Sequence, residues 1–167
     1  MTKTLVLLRH AKAEVEAGLG DHPRPLAARG RRQSNAFGAD LADAAGPFDV
    51  ALVSSSLRTR ETYRLLAHGA PEYPTPRILD ELYLAAPRQI IRVLQALDES
   101  AQRVLVVGHE PALSNLAHIL HDQWDATASA LASGIPTAMA VVLDVPAPWA
   151  DLDRQSAHVT AMLRPEH

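Results

Sequence analysis

The chain has 167 residues, 47% of them apolar, with 16 basic against 19 acidic side chains and a formal net charge of −3. That is the size of one ordinary domain with a substantial core, and the charge balance offers no electrostatic reason for nucleic acid or an anionic membrane as partner. Cysteine is absent, which excludes disulfides, thiolate metal sites and cysteine nucleophiles.

Residues 4–8, TLVLL, read as a buried strand that ends at Arg9-His10. This apolar run is five residues long, far short of the ~20 of a membrane span, as is every other run, so a cytoplasmic location is expected. Residues 9–25 follow as a polar loop with Gly18, Gly20, Pro23 and Pro25, turn formers rather than helix interior. From about Ala28 to Ala45, Phe37, Leu41 and Ala44 recur at helical spacing, and Gly46-Pro47 ends the helix. A second strand covers Val50 to Val53. Ser54-Ser55-Ser56 supplies capping hydroxyls for a helix over Leu57 to His68, stopped by Gly69.

The proline-rich segment 70–77 is a loop, and Ile78-Leu79 a short strand. Pro87 opens a helix with Ile90, Leu94 and Leu97 on its core face. Val104 to Val107 is a third core strand. Gly108-His109-Glu110-Pro111 then turns into a helix over about 112–122, and residues 137–144 and 157–162 read as a closing strand pair around Pro146-Ala147-Pro148. Without repeat, low-complexity tract or linker, residues 1–167 are expected to form one α/β domain, a three-layer α/β/α sandwich with a mostly parallel central sheet.

Three segments, each following a predicted core strand, carry a cation or an imidazole: Arg9-His10, Ser54 through Arg58, and Gly108-His109. Parallel strands deliver their carboxyl ends to one edge of a sheet, where ligands bind, so the three segments should converge. Two guanidinium forks suit phosphate oxygens, and a histidine just before a helix start adds the pull of free N–H groups on an anion. Taken singly, Arg9-His10 could close a strand, His109 could cap a helix, and Arg58 could pair with Glu61 or Glu81. Together they favour a phosphate cage.

The segments LVLLRHAK, SSSLRTRET and VVGHEPAL resemble, in order, the three signature segments of the histidine phosphatase superfamily. DHPRPLAARG and LDELYLA further resemble the short phosphohistidine phosphatases of the SixA type. The resemblance covers roughly residues 4–122 and implies a phosphoglycerate mutase-like fold. It makes His10 the nucleophile and Arg9, Arg58 and His109 the pocket for the phosphoryl group. It also suggests Glu81 as the acidic residue near the site, with Asp21 as second choice.

A neutral imidazole can attack phosphorus and accept the group, and neighbouring guanidinium charges help keep it neutral. Such chemistry needs no metal or other cofactor. The chain departs from the signature at one place, Ala11, where the family has glycine.

Only 47 residues separate His10 from Arg58, and 50 separate Arg58 from His109, leaving no room for the inserted lid of the mutase branch. An open site suits phosphohistidine on a protein surface, although a small phosphomonoester would also fit. A catalytically silent phospho-ligand binding module remains the alternative from another class. A monomer or weak dimer is expected. His118 and His121, three residues apart on a helix, have no obvious third ligand and read as structural, and Arg29, Arg31 and Arg32 as a solvated helix face.

Overall fold

The computed structural model describes residues 2–166. Its centre is a six-stranded sheet in the order β3-β2-β4-β1-β5-β6, built from Lys3–Arg9 (β1), Val50–Ser54 (β2), Arg77–Leu79 (β3), Arg103–Gly108 (β4), Ala140–Val145 (β5) and His158–Leu163 (β6). The first four run parallel. β5 pairs antiparallel with β1, and β6 antiparallel with β5.

Both faces of the sheet are covered, so its central strands β1, β2 and β4 carry continuous apolar runs, and successive residues go to opposite cores. Leu5, Leu7, Leu52, Val104 and Val106 pack with Pro87–Gln95 (α3) and Ala112–Leu120 (α4). Val6, Leu8, Ala51, Val53, Leu105 and Val107 face Ala28–Ala45 (α1) and Leu57–Ala67 (α2). The result is the three-layer α/β/α architecture that the strand and helix order implied. The expected face of α1 shifts slightly at its end, where Ala45 is buried and Ala44 exposed.

Two elements differ from expectation. Ala126–Ala132 is a further helix, α5, started by the Asp125 side chain accepting the Ala128 N–H at 3.0 Å. Six of its seven residues are small, which leaves too little hydrophobic periodicity to be read from sequence. β5 starts at Ala140 rather than at residue 137. The Ala138 N–H instead reaches the carbonyls of Arg9 and His10, at 3.2 and 3.1 Å.

α1 and α2 pack closely enough that a Cβ on Gly38 would lie 2.2 Å from the Leu66 carbonyl oxygen. Gly38→Ala is therefore expected to destabilise the fold by about 1–3 kcal/mol, the cost of overpacking against rigid backbone. Chemical denaturation reads this directly, and an unchanged midpoint would contradict the packing.

Candidate active site

In the β1–β4 ladder Arg9 pairs with Gly108, so His10 and His109 leave the sheet side by side with ring centroids 5.4 Å apart. β2, on the other side of β4, ends at Ser54. Ser56 then caps α2 by accepting the Thr59 N–H, which puts Arg58 in the first helical turn. Only 6% of Arg58 is exposed. Its Nε donates to His10 Nε2 at 3.3 Å, and its Nη2 contacts His109 Nδ1 at the same distance. Thus Arg58, His10 and His109, expected from three separate strand ends, come together. Arg9 stands beside them, its Nη1 donating to the Ile135 carbonyl at 2.9 Å.

Hydrogen bonds define the state of both imidazoles. His10 Nδ1 lies 2.8 Å from the Ala11 carbonyl oxygen, which can only accept, so the proton is on Nδ1 and the lone pair on Nε2 faces Arg58. His109 receives Arg58 at Nδ1 and therefore donates from Nε2 to Ser54 Oγ at 2.8 Å. Burial, then the Arg58 charge, lowers the His109 pKa to about 3. For His10 burial dominates; the Ala11 bond opposes it, the Arg58, Arg9 and Arg24 charges add to it, and the pKa falls to about 4. Both rings are neutral at physiological pH.

The Ala11 side chain costs this arrangement nothing visible. Its methyl is fully buried against Leu26 and Ala138, its N–H donates to Thr62 Oγ1 at 3.1 Å, and the carbonyl that orients His10 belongs to the backbone.

The acidic partner differs from the first choice made on sequence. Glu81 is exposed and lines a surface concavity with Arg77, Gln89 and Arg92, away from the imidazoles. Asp21 is the carboxylate at the cage, with Arg58 Nη2 donating to its Oδ2 and Arg58 Nη1 to its main-chain oxygen, both at 3.0 Å. The reason is positional. The short helix 80–82 turns Glu81 outward, whereas the loop after β1 folds back over α2. The Tyr83 hydroxyl donates to Asp21, and Arg24 donates from the other side. These bonds, Tyr83 first, hold the Asp21 carboxyl well below the usual carboxylate range.

Four contributors, Tyr83, His22, Ser54 and Ser55, gave no clear signal in the sequence. Tyr83 lies edge-on to both His109 and His22. His22 Nε2 meets Ser55 Oγ at 3.1 Å, and Ser54 holds His109. Of the serine triplet read as caps, one serves the helix and two serve imidazoles. The nearest signal for Tyr83 was its place in LDELYLA.

A family model described as the histidine phosphatase superfamily (branch 1) matches residues 5–84. An uncharacterized protein of Mycobacterium tuberculosis is 36% identical over 149 residues, spanning 87% of this chain and 92% of its own. The solved structure of a putative phosphohistidine phosphatase SixA from Nakamurella multipartitia superposes with a TM-score of 0.87 at 30% identity, covering 99% of this chain and 97% of that one. The chain belongs to the histidine phosphatase superfamily. Another putative SixA, from Agrobacterium tumefaciens, aligns at 27% identity with a TM-score of 0.79, over 99% of each chain. Superfamily and neighbours together support phosphatase activity.

In this histidine phosphatase His118 and His121 also find their place. They do not act as a pair: His121, Asp122 and His158 cluster at the end of α4, with His158 Nδ1 2.7 Å from Asp122 Oδ1, whereas the His118 ring lies edge-on to Trp124. His121 accepts the Val159 N–H at Nδ1 and turns Nε2 toward Asp125. With both ring nitrogens engaged, His121 ties β6 and the α5 cap to α4.

The neutral imidazoles make a pH prediction. Ring NMR should show His10 protonating near pH 4 rather than near the ~6.5 of a free histidine. The sign for stability follows. Between those two pH values the unfolded chain binds a proton that folded His10 refuses, so stability falls as pH drops through that window. A transition of the His10 ring near pH 6.5 would contradict the buried cage.

Proposed function

We propose that this chain hydrolyses protein phosphohistidine through a phospho-His10 intermediate, with Arg9, Arg58 and His109 holding the phosphoryl oxygens. The lone pair of His10 Nε2 attacks phosphorus while the bond to the leaving nitrogen breaks, and the bonding electrons depart with that nitrogen. Water then attacks phospho-His10, the P–Nε2 bond breaks, its electrons return to Nε2, and inorganic phosphate leaves with the water oxygen. Arg58 and Arg9 meet the charge on the transferring group with fixed guanidinium donors.

The observation that carries the choice of substrate is the hydrogen bonding of the cage, in which Asp21 accepts from Arg58, Arg24 and Tyr83 and each imidazole is held in one tautomer. His10 and His109 are neutral, Asp21 is held ionised, and Tyr83 directs its hydroxyl proton at Asp21. An alkyl phosphate needs an acid to protonate its departing oxygen, and this cage offers no carboxylic acid or imidazolium. A phosphorylated imidazole protonated on its other nitrogen leaves as neutral imidazole and needs no proton from the enzyme.

Two further features support a substrate presented by a protein. Val15, Leu19 and Leu84, on loops at the carboxyl edge of the sheet, are each 80% or more exposed. A cleft of about 210 Å³ beside His109, walled by Tyr83, Leu84, Pro111 and Leu113, adjoins the cage. The phosphohistidine assignment of the SixA neighbours agrees with this reading.

Purified enzyme should turn over a phosphohistidine-bearing protein, and p-nitrophenyl phosphate, whose leaving group is stable as the anion. Its kcat/KM for glycerol 2-phosphate should be lower by about 10²–10⁴, the usual worth of a general acid. Efficient hydrolysis of the alkyl ester with none of the phosphohistidine protein would establish the small-molecule reading instead.

A further inference from the structure

We infer that Glu110 is a positioning residue for Arg9, acting through the segment that joins α5 to β5. This rests on the phosphatase reading, in which Arg9 binds the phosphoryl group.

Arg9 has a single side-chain hydrogen bond among the described residues, Nη1 to the Ile135 carbonyl at 2.9 Å, while its Nε is buried without a partner. The direction of the guanidinium therefore depends on where Ile135 is held. Ile135 is 3% exposed, and its N–H donates to Glu110 Oε2 at 3.0 Å. The same carboxylate accepts the Ser114 N–H at 2.8 Å and the Ser114 hydroxyl at 2.7 Å, fixing it to the first turn of α4. Gly134, at φ +86°, passes so close that a Cβ there would lie 3.2 Å from Glu110 Oε2.

At the other end of the segment, the Ala138 N–H bridges the Arg9 and His10 carbonyls. Ala138 sits at φ +63°, a left-handed conformation that a non-glycine residue adopts only when its surroundings impose it. The segment is thus clamped twice, once by Glu110 and once by the backbone of the two cage residues. Removing the carboxylate frees the end that faces the Arg9 side chain and leaves the backbone clamp in place. The Glu110 charge also lies close enough to Arg9 to favour its protonated form against the desolvation of burial.

A double-mutant cycle tests the route, with inorganic phosphate as probe and calorimetric binding as readout, so that turnover is not required. Glu110→Ala is expected to weaken phosphate binding about tenfold in the otherwise unaltered chain and less than twofold in an Arg9→Ala background, because its effect passes through that side chain. Glu110→Gln, which keeps one oxygen acceptor for Ile135, should fall between and serves if the alanine variant does not fold. Ser114→Ala should lower the melting temperature without changing phosphate affinity, separating helix capping from positioning. Equal losses in both backgrounds, or no loss from either Glu110 variant, overturn the proposal. Failure of the unaltered chain to bind phosphate would instead remove the phosphatase reading, and the role of Glu110 with it.

Discussion

His10→Ala is expected to lower kcat/KM for p-nitrophenyl phosphate by about four orders of magnitude or more, since covalent catalysis loses its nucleophile and no other group takes its place. The second imidazole cannot substitute, because His109 receives Arg58 at Nδ1 and points its own N–H at Ser54. Brief incubation of the unaltered enzyme with radiolabelled substrate should trap an acid-labile, alkali-stable phosphoryl group on His10 Nε2. That nitrogen carries the lone pair, Nδ1 being tied to the Ala11 carbonyl. Label that persists in His10→Ala, or that maps to Nδ1, would contradict the mechanism. A silent phospho-ligand module would give no label and no turnover in either protein.

Arg58→Lys is the second substitution with a large expected effect, although it keeps the charge. Arg58 contacts His10 through Nε, His109 and the Asp21 carboxylate through Nη2, and the Asp21 main-chain oxygen through Nη1, and a lysine ammonium on a flexible stem cannot reproduce that planar fork. Losing a preorganised donor to a transferring phosphoryl group costs roughly 10²–10³ in kcat. The alanine variant should lose more, and it carries a separable signature. The Arg58 charge lowers the pKa of both imidazoles, so its removal raises them. The acid limb of kcat/KM in Arg58→Ala should therefore move to higher pH, whereas Arg58→Lys should hold it nearer its original place. An acid limb unmoved by Arg58→Ala would mean that burial alone keeps His10 neutral.

The elements that position the site were legible from local pattern. The apolar runs at β1, β2 and β4, each closed by a cation, an imidazole or a serine cluster, required only short-range sequence information, as did the breaks at Gly46-Pro47 and Gly69. α5 was not legible, because Ala126–Ala132 has a single large apolar residue, Leu131, and is stabilised by the Asp125 cap and its packing against α4. Ala11 raised a question of backbone freedom that local reasoning could not answer. In the fold its methyl fills a small apolar contact with Leu26 and Ala138, and the orienting carbonyl would be present with either residue.

The choice between two carboxylates shows where local reading stops. Glu81 and Asp21 are both acidic residues in segments resembling the SixA type, and nothing within a few residues of either decides between them. The decision lies in contacts to Arg58, 37 residues from Asp21, and to Tyr83, 62 residues from it. The same contacts keep the Asp21 carboxylate ionised, which removes it as a proton donor and turns the substrate argument toward a leaving group that needs none.

The sequence by itself determined the strand-end placement of Arg9, His10, Arg58 and His109, the α/β layering and the family, because these depend on side-chain periodicity, turn chemistry and short motifs. The tertiary structure alone decided which imidazole nitrogen carries a lone pair, which carboxylate meets the cage, and what aims Arg9. The His10 tautomer is set by its neighbour's carbonyl, but the lone pair meets Arg58 48 positions away, and the other two rest on hydrogen bonds between distant parts of the chain, as far as the 126 positions from Arg9 to Ile135, visible only when the sheet has brought the partners together.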